Sequence, residues 1–142
     1  MPKRSASSVW NGTLTEGNGT MRLDSGAYEG PYSFSSRFEE GAGSNPEELI
    51  AAAHSGCFSM KFSGDLTKAG YPPESVETRA DVHLTKDEGG FSITRIELHT
   101  TARVPNIGAA EFHKIAEASK DSCPVSRALA AVPEIVVDAN LA

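Results

Sequence analysis

Two residues in this chain of 142 carry thiols, Cys57 and Cys123, and their surroundings decide what those thiols can do. Cys57 follows Ala51-Ala52-Ala53-His54-Ser55-Gly56, inside an apolar stretch with the character of a buried helix. A thiol so placed is by default a small hydrophobe: burial raises its pKa and weakens it as a nucleophile, so a reactive Cys57 requires a nearby cation. Spacing offers Arg37, Arg127 and Lys61, the last one helical turn beyond the cysteine, and does not choose among them. Cys123 precedes Pro124 at the start of a short helix, where unpaired backbone N–H groups favour a thiolate; a packing cysteine at a helix boundary is the alternative. His54 and Cys57 also spell His-x-x-Cys. A structural zinc site wants four ligands, however, and Cys123, His83, His99 and His113 fall on separate elements, so no metal is expected. His54 is then a helix residue, partly exposed or hydrogen-bonded in the core.

The elements that must position these groups are legible in outline. Asn11-Gly12 and Asn18-Gly19 are turn signals among short extended stretches, which predicts a small antiparallel meander; Gly26 to Gly43, rich in Gly, Ser and aromatics, reads as a strand plus a loop. Asn45-Pro46-Glu47-Glu48 opens a long helix with a cap, a proline at the first position and a capping-box-like glutamate, and Gly70 followed by Pro72-Pro73 closes it. Its middle is apolar on most faces, which predicts burial. Val76, Thr78, Ala80, Val82 and Leu84 alternate with polar residues as a strand with one wet face. Asp87-Glu88-Gly89-Gly90 turns the chain into a returning strand that puts Ile96, Leu98, Thr100, Ala102 and Val104 inward. Phe91 and Ile93 have the opposite parity, so a bulge is expected near Thr94. A helix after Pro105, a short one from Pro124 and a last strand with Ile135, Val137, Ala139 and Leu141 on one face complete an α+β chain of one domain, residues 1–142.

Composition narrows the functional classes. The chain is 39% apolar and 23% charged, an ordinary globular balance, and its length buries a core without disulfides or metal. Thirteen Lys and Arg against 19 Asp and Glu give a net charge of -6, which repels phosphate backbones and anionic lipid, so nucleic acid and membrane are not expected partners. The N-terminal stretch carries no signal-peptide core, and cytoplasmic residence is expected; there a cysteine pair reads as redox-active or metal-binding before it reads as a structural disulfide.

Four fragments together resemble a known family: Arg37-Phe38-Glu39; Ser44-Asn45-Pro46-Glu47-Glu48-Leu49; Ala52-Ala53-His54-Ser55-Gly56-Cys57-Phe58-Ser59-Met60; and Cys123-Pro124-Val125-Ser126. They are similar to the OsmC branch of the OsmC/Ohr peroxidases, osmotically inducible protein C and organic hydroperoxide resistance protein, and the resemblance runs from Val9-Trp10 to the last strand. The resemblance implies an OsmC-like fold, antiparallel sheets wrapped around long central helices in an intertwined homodimer, with active sites at the subunit interface. It implies a peroxidase that reduces organic hydroperoxides and hydrogen peroxide without a cofactor. The family's peroxidatic cysteine falls on Cys57, its resolving cysteine on Cys123, its arginine on Arg37 and its glutamate on Glu47. Phe38, Phe58 and Met60 are candidates for an apolar pocket around the organic part of the substrate, with plain core as the alternative. A dithiol, such as a lipoyl group, would reopen the Cys57–Cys123 disulfide.

On that reading Arg37 stabilises the Cys57 thiolate and polarises the peroxide, and Glu47 holds the guanidinium. Glu47 and Cys57 are ten positions apart, about 15 Å along a straight helix. Either the helix is interrupted near Ala53 to Gly56, or Glu47 and Arg37 serve the Cys57 of a partner subunit. Two rival functions share the fold: a non-enzymatic stress-associated ligand-binding protein with inert cysteines, and a redox sensor that oxidises without turning over.

Overall fold

A computed structural model describes all 142 residues, which fall into two compact units, Met1–Leu49 and Ile50–Ala142.

In the first unit, β1 (Ala6–Asn11), β2 (Asn18–Leu23) and β3 (Glu29–Tyr32) form the expected antiparallel meander in that order. Gly12, at φ 94°, turns the chain out of β1. Asn18-Gly19 does not turn it; the pair opens β2, and Gly19 lies between Trp10 and Tyr32 in the cross-strand ladder. A Cβ on Gly19 would stand 2.6 Å from the Tyr32 ring and 2.7 Å from that of Trp10, so the missing side chain lets the two rings close over the backbone, 5.2 Å apart. The segment expected as loop contains a one-turn helix, α1 (Phe34–Phe38). Ser33 caps it, accepting from the Ser36 amide while the Ser36 hydroxyl accepts from that of Ser33.

α2 (Pro46–Lys68) starts as the sequence predicts: the Asn45 Oδ1 accepts from the Glu48 amide at 2.8 Å, and Pro46 takes the first position. It stops at Gly70, φ 94°, with the Tyr71 amide bonded back to Leu66 O. The helix is continuous over all 23 residues, so the interruption considered near Ala53 to Gly56 does not occur. Burial is also narrower than expected. His54, Phe58, Phe62 and Leu66 form one buried stripe at four-residue spacing, whereas Ala52, Ala53, Gly56, Met60 and Gly64 are exposed.

β4 (Ser75–Asp87) and β5 (Gly90–Arg103) form the long hairpin of the second unit. The register steps from His83–Arg95 to Leu84–Ile93, leaving Thr94 as the extra residue where the parity change placed it. α3 (Ala109–Ser122) and α4 (Pro124–Ala128) follow, and β6 (Glu134–Leu141) joins the sheet in the order β4-β5-β6. β6 runs parallel to β5, whereas the other strand pairs are antiparallel: a chain that leaves β5 and returns through two helices can re-enter the sheet in the same direction. Every buried apolar residue belongs to this unit. Phe58, Phe62 and Leu66 of α2 pack with Ile96 and Leu98 of β5 and Phe112 of α3, with ring contacts of 5.4 Å from Phe58 to Phe62 and 5.3 Å from Phe62 to Phe112. No helix is long and apolar enough to cross a membrane.

Candidate active site

The junction of α3 and α4 faces the middle of α2. Cys123 ends α3, its amide bonded to Ser119 O at 2.9 Å, and begins α4, its carbonyl accepting from the Arg127 amide at 3.0 Å. Pro124 at the first position of α4 fits this abrupt change of direction, because it has no N–H to leave unpaired. The fully buried Cys123 thiol points at Cys57: its Sγ donates to Cys57 Sγ at 2.8 Å, across 66 positions of sequence. Both cysteines are free thiols. A disulfide between them would bring the sulfurs to roughly 2.05 Å.

Burial pushes the Cys57 thiol up, the neighbouring Cys123 sulfur raises it further, and a hydrogen bond from the Val125 amide opposes both. Two adjacent sulfurs share protons as a unit, and the negative charge of one disfavours ionisation of the other. Within the second unit the balance is therefore upward, where the sequence led us to expect an arginine to bring it down. The free N–H groups at the start of α4 also serve a different sulfur than expected. Val125 directs its amide to Cys57 and not to Cys123.

His54, one helical turn before Cys57, is fully buried, and its Nε2 lies 2.7 Å from Ser126 Oγ. The His-x-x-Cys pair is thus divided: His54 turns to Ser126 and Cys57 to Cys123. Lys61, considered as a partner for Cys57, is bonded to Asp65 at 2.8 Å. Arg127 is exposed.

Arg37 and Glu47 meet in the first unit. Arg37 Nη2 donates to Glu47 Oε1 at 2.8 Å, and Nε reaches Oε1 at 3.1 Å and Oε2 at 3.3 Å. Serines and an asparagine fix the two ends. The Ser36 hydroxyl donates to Ser44 O at 2.7 Å, the Asn45 side-chain amide donates to Ser36 O at 2.9 Å, and the Ser44 amide donates to Pro31 O at 3.1 Å. Gly43, at φ 116°, permits this approach, since a Cβ there would stand 2.7 Å from Pro31 O. The guanidinium also lies over the Phe38 ring, 5.2 Å from its centroid. Arg37 and Phe38 line a cavity of about 400 Å³ with Trp10, Leu14, Tyr32 and Phe34. Sequence reading selected only Phe38 from these aromatics; the spacing of Tyr32, Phe34 and Phe38 around a serine-rich turn was the available signal. Of the other two pocket candidates, Phe58 is fully buried in the core and Met60 is 81% exposed.

A long helix that carries one thiol against a second at a helix junction, beneath a three-stranded sheet, defines an α+β dithiol protein. Residues 39–138, which include Glu47 and both cysteines, match the profile of the family described as OsmC-like protein. The chain is 47% identical over 133 residues to the peroxiredoxin OsmC of Escherichia coli K12, covering 93% of this chain and 92% of that one. It superimposes on the crystal structure of the organic hydroperoxide resistance protein OhrB of Bacillus subtilis with a TM-score of 0.68 and 22% identity, covering 97% and 98% of the two chains. With an OsmC-like protein of unknown function from Vibrio cholerae the TM-score is 0.74 at 20% identity, covering 98% and 99%. The chain belongs to the OsmC family.

Proposed function

We propose that this OsmC-family protein is a thiol-dependent peroxidase that reduces organic hydroperoxides and hydrogen peroxide, with Cys57 as the attacking sulfur and Cys123 as the resolving thiol. The observation that carries the reading is the 2.8 Å approach of two free thiols from distant parts of the chain. The Cys57 thiolate attacks one peroxide oxygen, the O–O bond breaks, and the alkoxide or hydroxide leaves and takes up a proton, which makes Cys57 a sulfenic acid. The Cys123 thiol then attacks the sulfenic sulfur, expelling water and forming the Cys57–Cys123 disulfide. A dithiol reductant, such as a lipoyl pair, returns both thiols as it becomes a disulfide itself. All oxidising equivalents pass through sulfur, so the cycle uses no flavin, haem or metal, and it suits a cytoplasmic setting in which disulfides are transient.

Arg37 supplies the positive charge that offsets the burial of Cys57 and stabilises the leaving oxygen, and Glu47 fixes its orientation. The pair leaves Arg37 Nη1 without a hydrogen-bond partner, and the side chain is 37% exposed. Phe38 and the surrounding aromatics accept the organic part of the hydroperoxide. Met60, exposed on α2, is free to meet an apolar substituent or a second chain, while Phe58 serves the core. Residues 1–142 act as one functional domain, and the chain works as a homodimer. Two features favour the dimer: the first unit has no buried apolar residue, and α2 carries an exposed face with Ala52, Ala53, Gly56 and Met60. With α2 unbroken and about 15 Å between Glu47 and Cys57 along it, Arg37 and Glu47 serve the Cys57 of the partner subunit.

Steady-state turnover of cumene hydroperoxide with dithiothreitol tests the proposal. Wild type turns over, Cys57→Ser does not, and Cys123→Ser accumulates sulfenic and over-oxidised Cys57. Oxidation of wild type without turnover in excess dithiol would make the protein a sensor, and no oxidation at all would make it a binding protein.

A further inference from the structure

The peroxidase cycle uses neither His54 nor Ser126, yet both are buried and bonded to each other at 2.7 Å beside the two sulfurs. His54 sits one helical turn from Cys57 on α2, so the two side chains share a face. Ser126 sits in α4 between Val125, whose amide bonds to Cys57, and Arg127, whose amide closes the turn on Cys123 O. α2 and α4 thus meet through paired contacts. Cys57 takes the Val125 amide and the Cys123 thiol, and His54 takes the next side chain along.

We infer that the His54–Ser126 hydrogen bond is a positioning device for the dithiol, clamping α4 to α2 so that the Val125 amide and the Cys123 thiol both face the Cys57 sulfur. The inference rests on the peroxidase reading for its meaning and on the geometry alone for its existence.

Chemistry indicates how the clamp is wired. His54 Nδ1 is buried with no hydrogen-bond partner. An unfilled acceptor is a smaller penalty than an unpaired N–H, so the neutral imidazole carries its proton on Nε2 and donates to Ser126 Oγ. α4 is only five residues long and follows an abrupt turn at Cys123, so its own backbone bonds hold it weakly. A side-chain bond from a 23-residue helix into its first turn supplies the missing orientation. His54 and Ser126 act on the sulfurs only through Val125 and Cys123, and are positioning residues in that sense.

Ser126→Ala deletes one oxygen and tests the clamp with little risk to folding. The clamp predicts that the Cys57 thiolate, followed by ultraviolet absorbance against pH, forms at higher pH in Ser126→Ala. It also predicts disulfide formation after one equivalent of cumene hydroperoxide slowed by about tenfold, the worth of a single hydrogen bond, with more over-oxidised Cys57 at excess peroxide. His54→Leu gives the same phenotype. His54→Gln, whose amide reaches as far as Nε2, restores both the titration and the rate. Wild-type titration and resolution in Ser126→Ala overturn the inference while leaving the peroxidase intact. Failure of His54→Gln to recover either readout, in a folded protein, reduces His54 to core packing. Absence of turnover in wild type itself would fault the peroxidase reading instead.

Discussion

Arg37 and Glu47 sit in a unit without a buried apolar residue, whereas Cys57 and Cys123 sit against a core of phenylalanines, leucines and isoleucines. In the first unit orientation comes from a lattice of polar bonds: Ser33 with Ser36, Ser36 with Ser44, Asn45 with Ser36, and the two-pronged grip of Arg37 on Glu47. In the second unit orientation comes first from packing, with directional side-chain bonds joining elements at Ser59–Thr78, Ser119–Asp65 and His113–Ala139 O as well as where α4 meets α2. Packing is strong and undirected; single hydrogen bonds are directed and individually weak. Substitutions in the second unit should therefore register in stability, and those in the first should register in rate.

The largest expected effect is in the core. Phe62→Ala removes the ring between Phe58 and Phe112 and should lower unfolding free energy by about 3–5 kcal/mol in denaturant titration. An equal loss from an exposed first-unit residue such as Val9 would break the contrast as drawn for the isolated chain and point to a buried dimer face. Next, Arg37→Met should slow hydroperoxide reduction by about 10²- to 10³-fold, with a smaller cost in unfolding free energy, about 1–3 kcal/mol, because the buried Glu47 carboxylate loses its partner. Arg37→Lys should recover little, because a point charge cannot reproduce the forked contact with Glu47.

Mixing sharpens the comparison further. Refolding Arg37→Met with Cys57→Ser subunits should recover about a quarter of wild-type turnover if the arginine acts across a two-fold dimer, and none if it acts within its own chain.

The smallest effect concerns pH. Burial lowers the His54 pKa, so the fold favours the neutral ring. Below about 6.5, the ordinary histidine value, the unfolded chain takes up a proton that the native protein resists. The contribution is thus complete above that pH and is lost as pH falls toward the folded value. His54→Gln should flatten the acid limb of the stability curve, by at most about 1.4 kcal/mol per pH unit.

How much of this was legible beforehand varies with the physics of each element. The β4–β5 hairpin and its bulge at Thr94 were readable because side-chain parity changes once and only once along the return strand. The start and stop of α2 were readable because Asn45, Pro46 and Gly70 each have one strong conformational use. The burial of α2 was misread because Ala52, Ala53 and Gly56 count as apolar or small without having to be covered, and only the stripe from His54 to Leu66 reaches the core. α1 escaped notice because five residues hold no helical period, and its stability comes from Ser33 and Ser36. The parallel pairing of β6 is permitted by the two helices that precede it and not dictated by them. The meeting of Cys57 with Cys123 depends on tertiary packing across 66 positions, and family resemblance, not spacing, named the pair. The same distance in sequence hid the bond from His54 to Ser126.

The central claim is that two thiols at 2.8 Å in a greasy setting form one redox unit. Treating the reduced protein with a single equivalent of cumene hydroperoxide and measuring its intact mass and peptide map tests this directly. The account predicts a loss of two hydrogens per chain, located as a Cys57–Cys123 bridge that dithiothreitol reverses. An unchanged mass, or oxygen added at Cys57 with Cys123 still reduced, would contradict it.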